Sequence, residues 1–168
     1  MKKISTIIAI LIIGLTAQAA FAQSQADKDK KAFINNTRIL EKKPFDPNAN
    51  AARQWNFKWV NDTDQVSVVV CGESFKLIPE KKNKFKGELL MQYMFGMAAY
   101  KLENPDKKDD ENAAQIAGIE SVLRTYEAMV AENDKAKNAE LDALLVKQKN
   151  GDLAKMIEAA GCGKKADK

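Results

Sequence analysis

Histidine is absent from all 168 residues, and its absence removes several classes of chemistry at once. Neither a Ser-His-Asp nor a Cys-His nucleophile can be built, and there is no imidazole to bind a metal or carry a proton. The sequence also lacks Gly-rich phosphate loops, nucleophile elbows and zinc-ligand spacings. We therefore predict a protein that is not an enzyme and has no cofactor and no metal. A hydrolase that uses only carboxylates is the alternative that stays open.

Cysteine is scarce: Cys71 and Cys162 are the two in the chain, and ninety residues lie between them. This spacing is unlike the CxxC of redox-active dithiols, and two sulfurs without histidine are too few for a metal site. We predict a structural disulfide that fastens the C-terminal helix to the body of the protein. An intermolecular bridge and a reactive thiol are the alternatives.

Long apolar runs are rare, and the clearest one lies at the N-terminus. Positive charge at Lys2 and Lys3 precedes an apolar stretch over residues 7–17, and Ala20-Phe21-Ala22 offers small residues at a cleavage site. These features predict a secretory signal peptide over residues 1–22, cut before Gln23. The run is shorter than the roughly 20 apolar residues of a membrane span. We expect a periplasmic or secreted protein without a membrane span.

Charge of one sign is not in large excess. The 27 basic and 23 acidic residues give +4, and removal of Lys2 and Lys3 with the signal would leave +2. Such a small excess gives no reason to expect nucleic acid as a partner. The expected partner is another periplasmic or extracellular protein.

The rest of the pattern predicts an all-α fold. We expect a polar arm and irregular lead-in over 23–45, one helical domain over 46–162 and a disordered tail over 163–168. Asp46-Pro47 is a typical helix start. Within the domain, four to six antiparallel helices should pack around a central helix at about 88–102, which is apolar nearly all round.

Helix ends and contact faces are marked by particular residues. Asp109 or Asp110 and Asn138 should cap helices, and Gly151 should end one. Flat positions at Gly96, Ala98 and Ala99 would let neighbouring helices approach closely. One apolar stripe on the helix after Asp110 comprises Ile116, Ile119, Leu123, Tyr126 and Val130.

Residues 62–78 have no clear assignment. The β-branched run Val66–Cys71 is compatible with a short buried strand at 66–71 or with part of a helix toward Ile78. We favour the helix, because no partner strand is evident and a lone strand cannot pair its backbone.

Aromatic residues supply the candidate binding residues. Trp55 and Trp59 share a helix face and are predicted to be core. Phe57 lies on the other side of that helix beside Lys58, and Phe85 lies within the basic run Lys81–Lys86. We predict Phe57, Lys58 and Phe85 as partner-binding residues.

The spacing of Met91, Met94 and Met97 resembles a copper(I) motif, because thioethers are soft ligands. Their neighbours are apolar and aromatic, so we predict that these methionines are core residues. The acidic groups at Asp62/Asp64 and over 106–111 lack the spacing of a calcium loop and are predicted to be caps and solvated turns.

These features favour an exported, non-enzymatic helical protein that acts by protein–protein binding, for example of the inhibitor or immunity type. An envelope chaperone or a carrier of apolar ligands, with the Met-rich interior as its cavity, is the alternative. The carboxylate-dependent hydrolase ranks below both.

Overall fold

The computed structural model describes residues 25–79, 81 and 83–162. The predicted signal peptide at 1–22 and the predicted tail at 163–168 lie outside the described residues. That part of the chain is helical and contains no strand, so the predicted all-α class is confirmed. Its α-helices are α1 over 25–42, α2 (Ala49–Asp62), α3 (Gly72–Phe75), α4 (Lys86–Glu103), α5 (Glu111–Glu132), α6 (Ala139–Lys149) and α7 (Asp152–Ala159). Two short 3-10 helices lie at Pro105–Lys107 and Asp134–Ala136.

The described residues divide into two units, those up to Phe33 and those from Ile34 onward, with the boundary inside α1. In the first unit, residues 25–33 are helical, and the Gln25 side chain donates a hydrogen bond to Asp29 one turn later. All contacts described below belong to the second unit.

Helices α4 and α5 are antiparallel and form the core of the second unit. As the α4 position advances from Gln92 to Lys101, its α5 partner recedes from Ser121 to Glu111. The helices touch at glycines: a Cβ on Gly96 would lie 2.4 Å from Ser121 Cβ, and one on Gly118 would lie 2.6 Å from the Tyr93 ring. The predicted close approach at Gly96 is confirmed, and α4 is buried on most sides as predicted.

The predicted caps hold the C-terminal helices in place. Asp110 accepts a hydrogen bond from the Ala113 amide at the start of α5, and Asn138 accepts from Glu140 and Leu141 at the start of α6. Gly151 ends α6 with a φ of 75°, which favours glycine. The Tyr126 hydroxyl of α5 accepts from the Asn138 amide at 2.8 Å, so the cap is also tied to the core. Leu141, Leu153 and Ile157 complete that core.

The lead-in is helical where an irregular segment was predicted. Helix α1 continues to residue 42 because Thr37, Leu40 and Glu41 recur at helical spacing and are all buried. Helix α2 begins at Ala49 rather than at Pro47. Asp46 does accept a hydrogen bond from the Asn48 amide, but within the turn that precedes the helix.

Residues 62–78 form neither the favoured long helix nor the alternative strand at 66–71. Asp62 ends α2, residues 66–71 have no regular structure, and only Gly72–Phe75 is helical. Cys71 and Cys162 form the predicted disulfide, with Cα atoms 5.5 Å apart. The bond joins the start of α3 to the residues that follow α7.

None of the described helices has the length and apolar character that a membrane crossing requires.

Candidate functional site

Helix α2 presents two polar residues, Arg53 and Asn56, to the interior. Its buried residues are Ala49, Arg53 and Asn56. Arg53 donates to the Pro44 carbonyl at 2.6 Å, and Asn56 donates to Thr37 Oγ1 of α1 at 3.0 Å. Burial lowers the pKa of Arg53, partly offset by the charge of Glu88. These contacts orient α2 by hydrogen bonding rather than by apolar packing.

A buried carboxylate lies at the centre of the polar contacts between α1 and α5. Glu41 is 5% exposed and accepts hydrogen bonds from Ser121 (2.6 Å), Arg124 (3.0 Å) and Arg38 (2.7 Å). Burial alone would raise the pKa of Glu41, but these hydrogen bonds and the two arginine charges together hold it below its ordinary value. Glu41 is therefore an ionised acceptor at neutral pH and has no proton to donate.

Gln92 of α4 extends this arrangement across three helices. Its side-chain amide lies 2.9 Å from Ser121 Oγ on α5 and 3.2 Å from the Thr37 carbonyl on α1. Buried polar groups are costly unless they are bonded, so this set of contacts specifies how the helices pair.

With polar groups inside, the aromatic side chains of α2 lie outside. Trp55 is 38% exposed and stacks on the partly exposed Trp59, with ring centroids 6.2 Å apart and an interplanar angle of 7°. The prediction that both tryptophans are core is wrong, because Arg53 and Asn56 occupy the inward face. Phe57 lies on the opposite flank and is 46% exposed. We call Trp55, Phe57 and Trp59 the aromatic surface of α2.

A groove of about 400 Å³ lies between α1 and α2, on the side of α2 that carries Trp55 and Trp59. Ile39 and Leu40 of α1 and Ala49 and Ala52 of α2 form its apolar wall. Ala52 precedes Trp55 by three residues, so the groove and the tryptophan pair lie on one side of α2.

The other predicted binding residues have different surroundings. The Phe85 ring packs on Phe45 with centroids 5.0 Å apart and is partly buried against the core, and its role in partner binding stays a prediction. Lys58 is exposed and forms an ion pair with Asp62 one turn later. Phe57 and Lys58 therefore have the exposure that a partner contact requires.

The segment that follows α2 is held by its backbone. The Ser67 carbonyl accepts from Lys101 Nζ at 3.0 Å, and the Val69 carbonyl accepts from the Gln115 side chain at 2.7 Å. Lys101 is buried and also pairs with Glu111 at 2.6 Å. Side chains of α4 and α5 thus take the place of the missing partner strand.

Two valine side chains of this segment reach the surface, and a second groove lies beside the segment. Val69 is 55% exposed and Val70 is 40% exposed. The groove measures about 350 Å³ and runs between the end of α2 and the segment. Its lining comprises Val60, Asn61, Thr63, Asp64, Val66, Ser67, Val68, Val70 and Met94.

The disulfide adjoins a buried tyrosine. Burial raises the pKa of Tyr93 to about 12, so its hydroxyl stays protonated and donates to Gln115 Oε1. The Ser74 hydroxyl lies 3.2 Å from the Cys162 sulfur. These groups join the bridge to the α4–α5 core.

Of the three methionines in the predicted motif, Met97 is fully buried in the core, and Met91 and Met94 are half-buried. In the part of the chain that the structure describes, no three His, Cys, Asp or Glu side chains are grouped as a metal site would need.

Sequence reasoning missed Glu41, Asn56, Gln92 and Gln115. For Gln92 and Gln115 the available signal was their position on helix faces that periodicity assigns to the interior, although hydrophobic patterning treats such residues as solvated. No comparable signal marks Glu41, which lies in a segment predicted to be irregular, or Asn56, which lies off the predicted inward face of α2.

Compared with known proteins, the chain matches no family model, no curated protein sequence and no solved structure.

Proposed function

We propose that this protein is exported and acts without catalysis, by binding another protein through the aromatic surface of α2. The observation that carries the proposal is that α2 buries polar side chains and exposes aromatic ones. Arg53 and Asn56 are buried, whereas Trp55 and Phe57 lie in solvent. The fold of the free protein makes little use of these aromatic rings.

Exposed aromatic side chains are characteristic of protein interfaces. Tryptophan and tyrosine contribute most of the binding energy in many complexes, and interface cores are enriched in aromatic residues. The Trp55–Trp59 stack is a flat apolar surface beside the groove formed with Ile39, so it could accept an apolar side chain of a partner.

Export is the second part of the proposal. Its support is the Cys71–Cys162 disulfide, because such bonds persist in oxidising compartments and are rare in the cytosol. If the partner is a secreted toxin or a hydrolase, the protein would be an inhibitor or an immunity-type protector.

Site-specific photocrosslinking in the native host tests the binding surface. The full chain would be expressed with benzoylphenylalanine at Phe57 or at Trp55, and cross-linked proteins would be identified by mass spectrometry. The matched control carries the same photoreactive residue at Glu127, which is exposed on α5.

We expect one discrete adduct from both α2 positions and none from position 127. Adducts that are the same at all three positions, or absent from all three, would contradict the proposal. Circular dichroism and thiol titration would verify that each variant is folded and bridged.

A further inference from the structure

We propose that residues 66–70 bind an extended segment of a partner polypeptide, which adds to their free edge as a β-strand. The inference rests on the proposed function, because it specifies the chemistry of the protein partner. The segment, its backbone groups and the second groove carry the argument.

The inward contacts of the segment establish which backbone groups face outward. Carbonyls two residues apart, at Ser67 and Val69, both reach the α4–α5 pair. Two carbonyls turned to the same side at alternate residues are the pattern of an extended chain, in which the backbone polar groups of successive residues point to opposite sides. The N–H and C=O groups of Val66, Val68 and Val70 therefore point away from the core.

These outward groups have no partner within the described residues. No hydrogen bond there involves the backbone of Val66, Val68 or Val70. A row of unpaired N–H and C=O groups on a β-branched segment is a template for another strand.

The segment is also fixed in position before any partner arrives. Lys101 and Gln115 bind its carbonyls, and the disulfide at Cys71 anchors its end. A preformed edge lowers the entropy that binding must overcome, because the receptor backbone is already ordered. Such strand addition is a known mode of peptide recognition.

The second groove lies beside the outward edge and offers surface for the side chains of a bound peptide. Val60 and Met94 supply apolar surface, and Asn61 and Thr63 supply polar groups on the α2 side. Phe57 lies one helical turn before Asn61, whose side chain donates to the Phe57 carbonyl at 2.6 Å. A bound strand would therefore run between the edge and the Phe57 flank of the aromatic surface.

The unpaired backbone groups of residues 66–70 determine which kind of ligand can bind there. A helix has its backbone groups bonded internally, so it cannot satisfy the outward amides of Val66, Val68 and Val70. A small apolar ligand has no groups to pair with them. An extended peptide with apolar residues at alternate positions satisfies the edge and fills the groove.

The test uses displayed random octapeptides selected on the full secreted protein, with affinities measured by fluorescence anisotropy. Val68→Pro removes an outward N–H, whereas the matched control Ser67→Pro removes an inward one in the same segment. We expect Val68→Pro to weaken binding about tenfold, equivalent to about 1.4 kcal/mol, and Ser67→Pro to change it little.

Amide exchange of the wild-type protein provides a readout that does not depend on the proline variants. Bound peptide should slow the exchange of the Val66, Val68 and Val70 amides. Failure to select any peptide, or unchanged exchange at these amides, would overturn strand addition. Protection of the same amides in a peptide-free dimer, detected by light scattering, would also overturn it and assign the edge to a second copy.

The two proposals fail in different ways. Peptides that bind Val68→Pro and wild type equally but are lost with Phe57→Ala would refute strand addition and leave the α2 surface as the binding site. A failed cross-linking experiment at α2 concerns only the proposed function.

Discussion

Single buried polar residues determine much of the helix pairing. Glu41 joins α1 to α5 through Ser121 and Arg124, and Gln92 joins α4 to both. A charged residue followed by Lys42, Lys43 and Pro44 has the composition of a loop, which is why the sequence predicted an irregular lead-in there. Its burial is favourable only because Arg38, one turn earlier, and Ser121 and Arg124, far along the chain, all bind the carboxylate.

The lowered pKa of Glu41 predicts a pH-dependent contribution to stability. Its pKa in the folded state lies below the ordinary value of 4.5, so the unfolded state binds the proton more readily. The contribution is complete above the unfolded pKa and is lost as pH falls through the folded pKa. Urea unfolding of wild type should therefore show a steeper loss of stability between about pH 6 and pH 3 than Glu41→Gln does.

At neutral pH, Glu41→Gln should lower the free energy of unfolding by about 1–3 kcal/mol, because it weakens charge-assisted hydrogen bonds in a buried place. Glu127→Gln, on the exposed side of α5, is the control and should change stability by less than about 0.5 kcal/mol. Equal pH profiles for wild type and Glu41→Gln would contradict the assigned role.

At the scale of the element, α2 and the segment after it departed most from expectation. Helical spacing correctly placed Trp55 and Trp59 on one face, but it did not determine which face is inward. That choice depends on Thr37 of α1, which offers a hydrogen-bond acceptor to Asn56. Likewise, residues 66–70 are held without a partner strand because side chains of α4 and α5 bind the carbonyls of Ser67 and Val69.

Because α2 buries polar residues and exposes aromatic ones, loss of a polar side chain should destabilise the protein more than loss of an aromatic one. Asn56→Ala should destabilise the protein by about 1–3 kcal/mol, because it leaves buried partners unsatisfied. Phe57→Ala should cost less than about 1 kcal/mol, because the ring is half in solvent. Urea unfolding followed by circular dichroism at 222 nm measures both, and a larger loss for Phe57→Ala would contradict the observed orientation of α2.

At the scale of the whole molecule, the disulfide is the strongest covalent constraint on the fold. It joins positions 91 apart in sequence, from the start of α3 to the end of α7. The loop-closure model gives such a bridge about 4–5 kcal/mol as an upper value, and about 2–4 kcal/mol is typical.

We expect reduction to lower the free energy of unfolding by about 2–4 kcal/mol and to affect the segment before Cys71 first. Thiol titration of the denatured protein, purified without reductant, should find no free thiol, and addition of reductant should expose two. The Cys71→Ser/Cys162→Ser variant should match the reduced protein. Free thiols in the untreated protein would contradict a structural bridge.

The sequence alone was enough to predict the helical class, a cap at Asp109 or Asp110, the cap at Asn138, the turn at Gly151 and the disulfide. The helical class, the caps and the turn depend on local backbone chemistry, and two cysteines allow one intramolecular disulfide. Tertiary structure decided the burial of Glu41, the outward orientation of the α2 aromatics and the absence of both helix and strand at residues 66–70. In these places, partners far along the chain determine whether a polar group can be buried, and local periodicity contains no information about them.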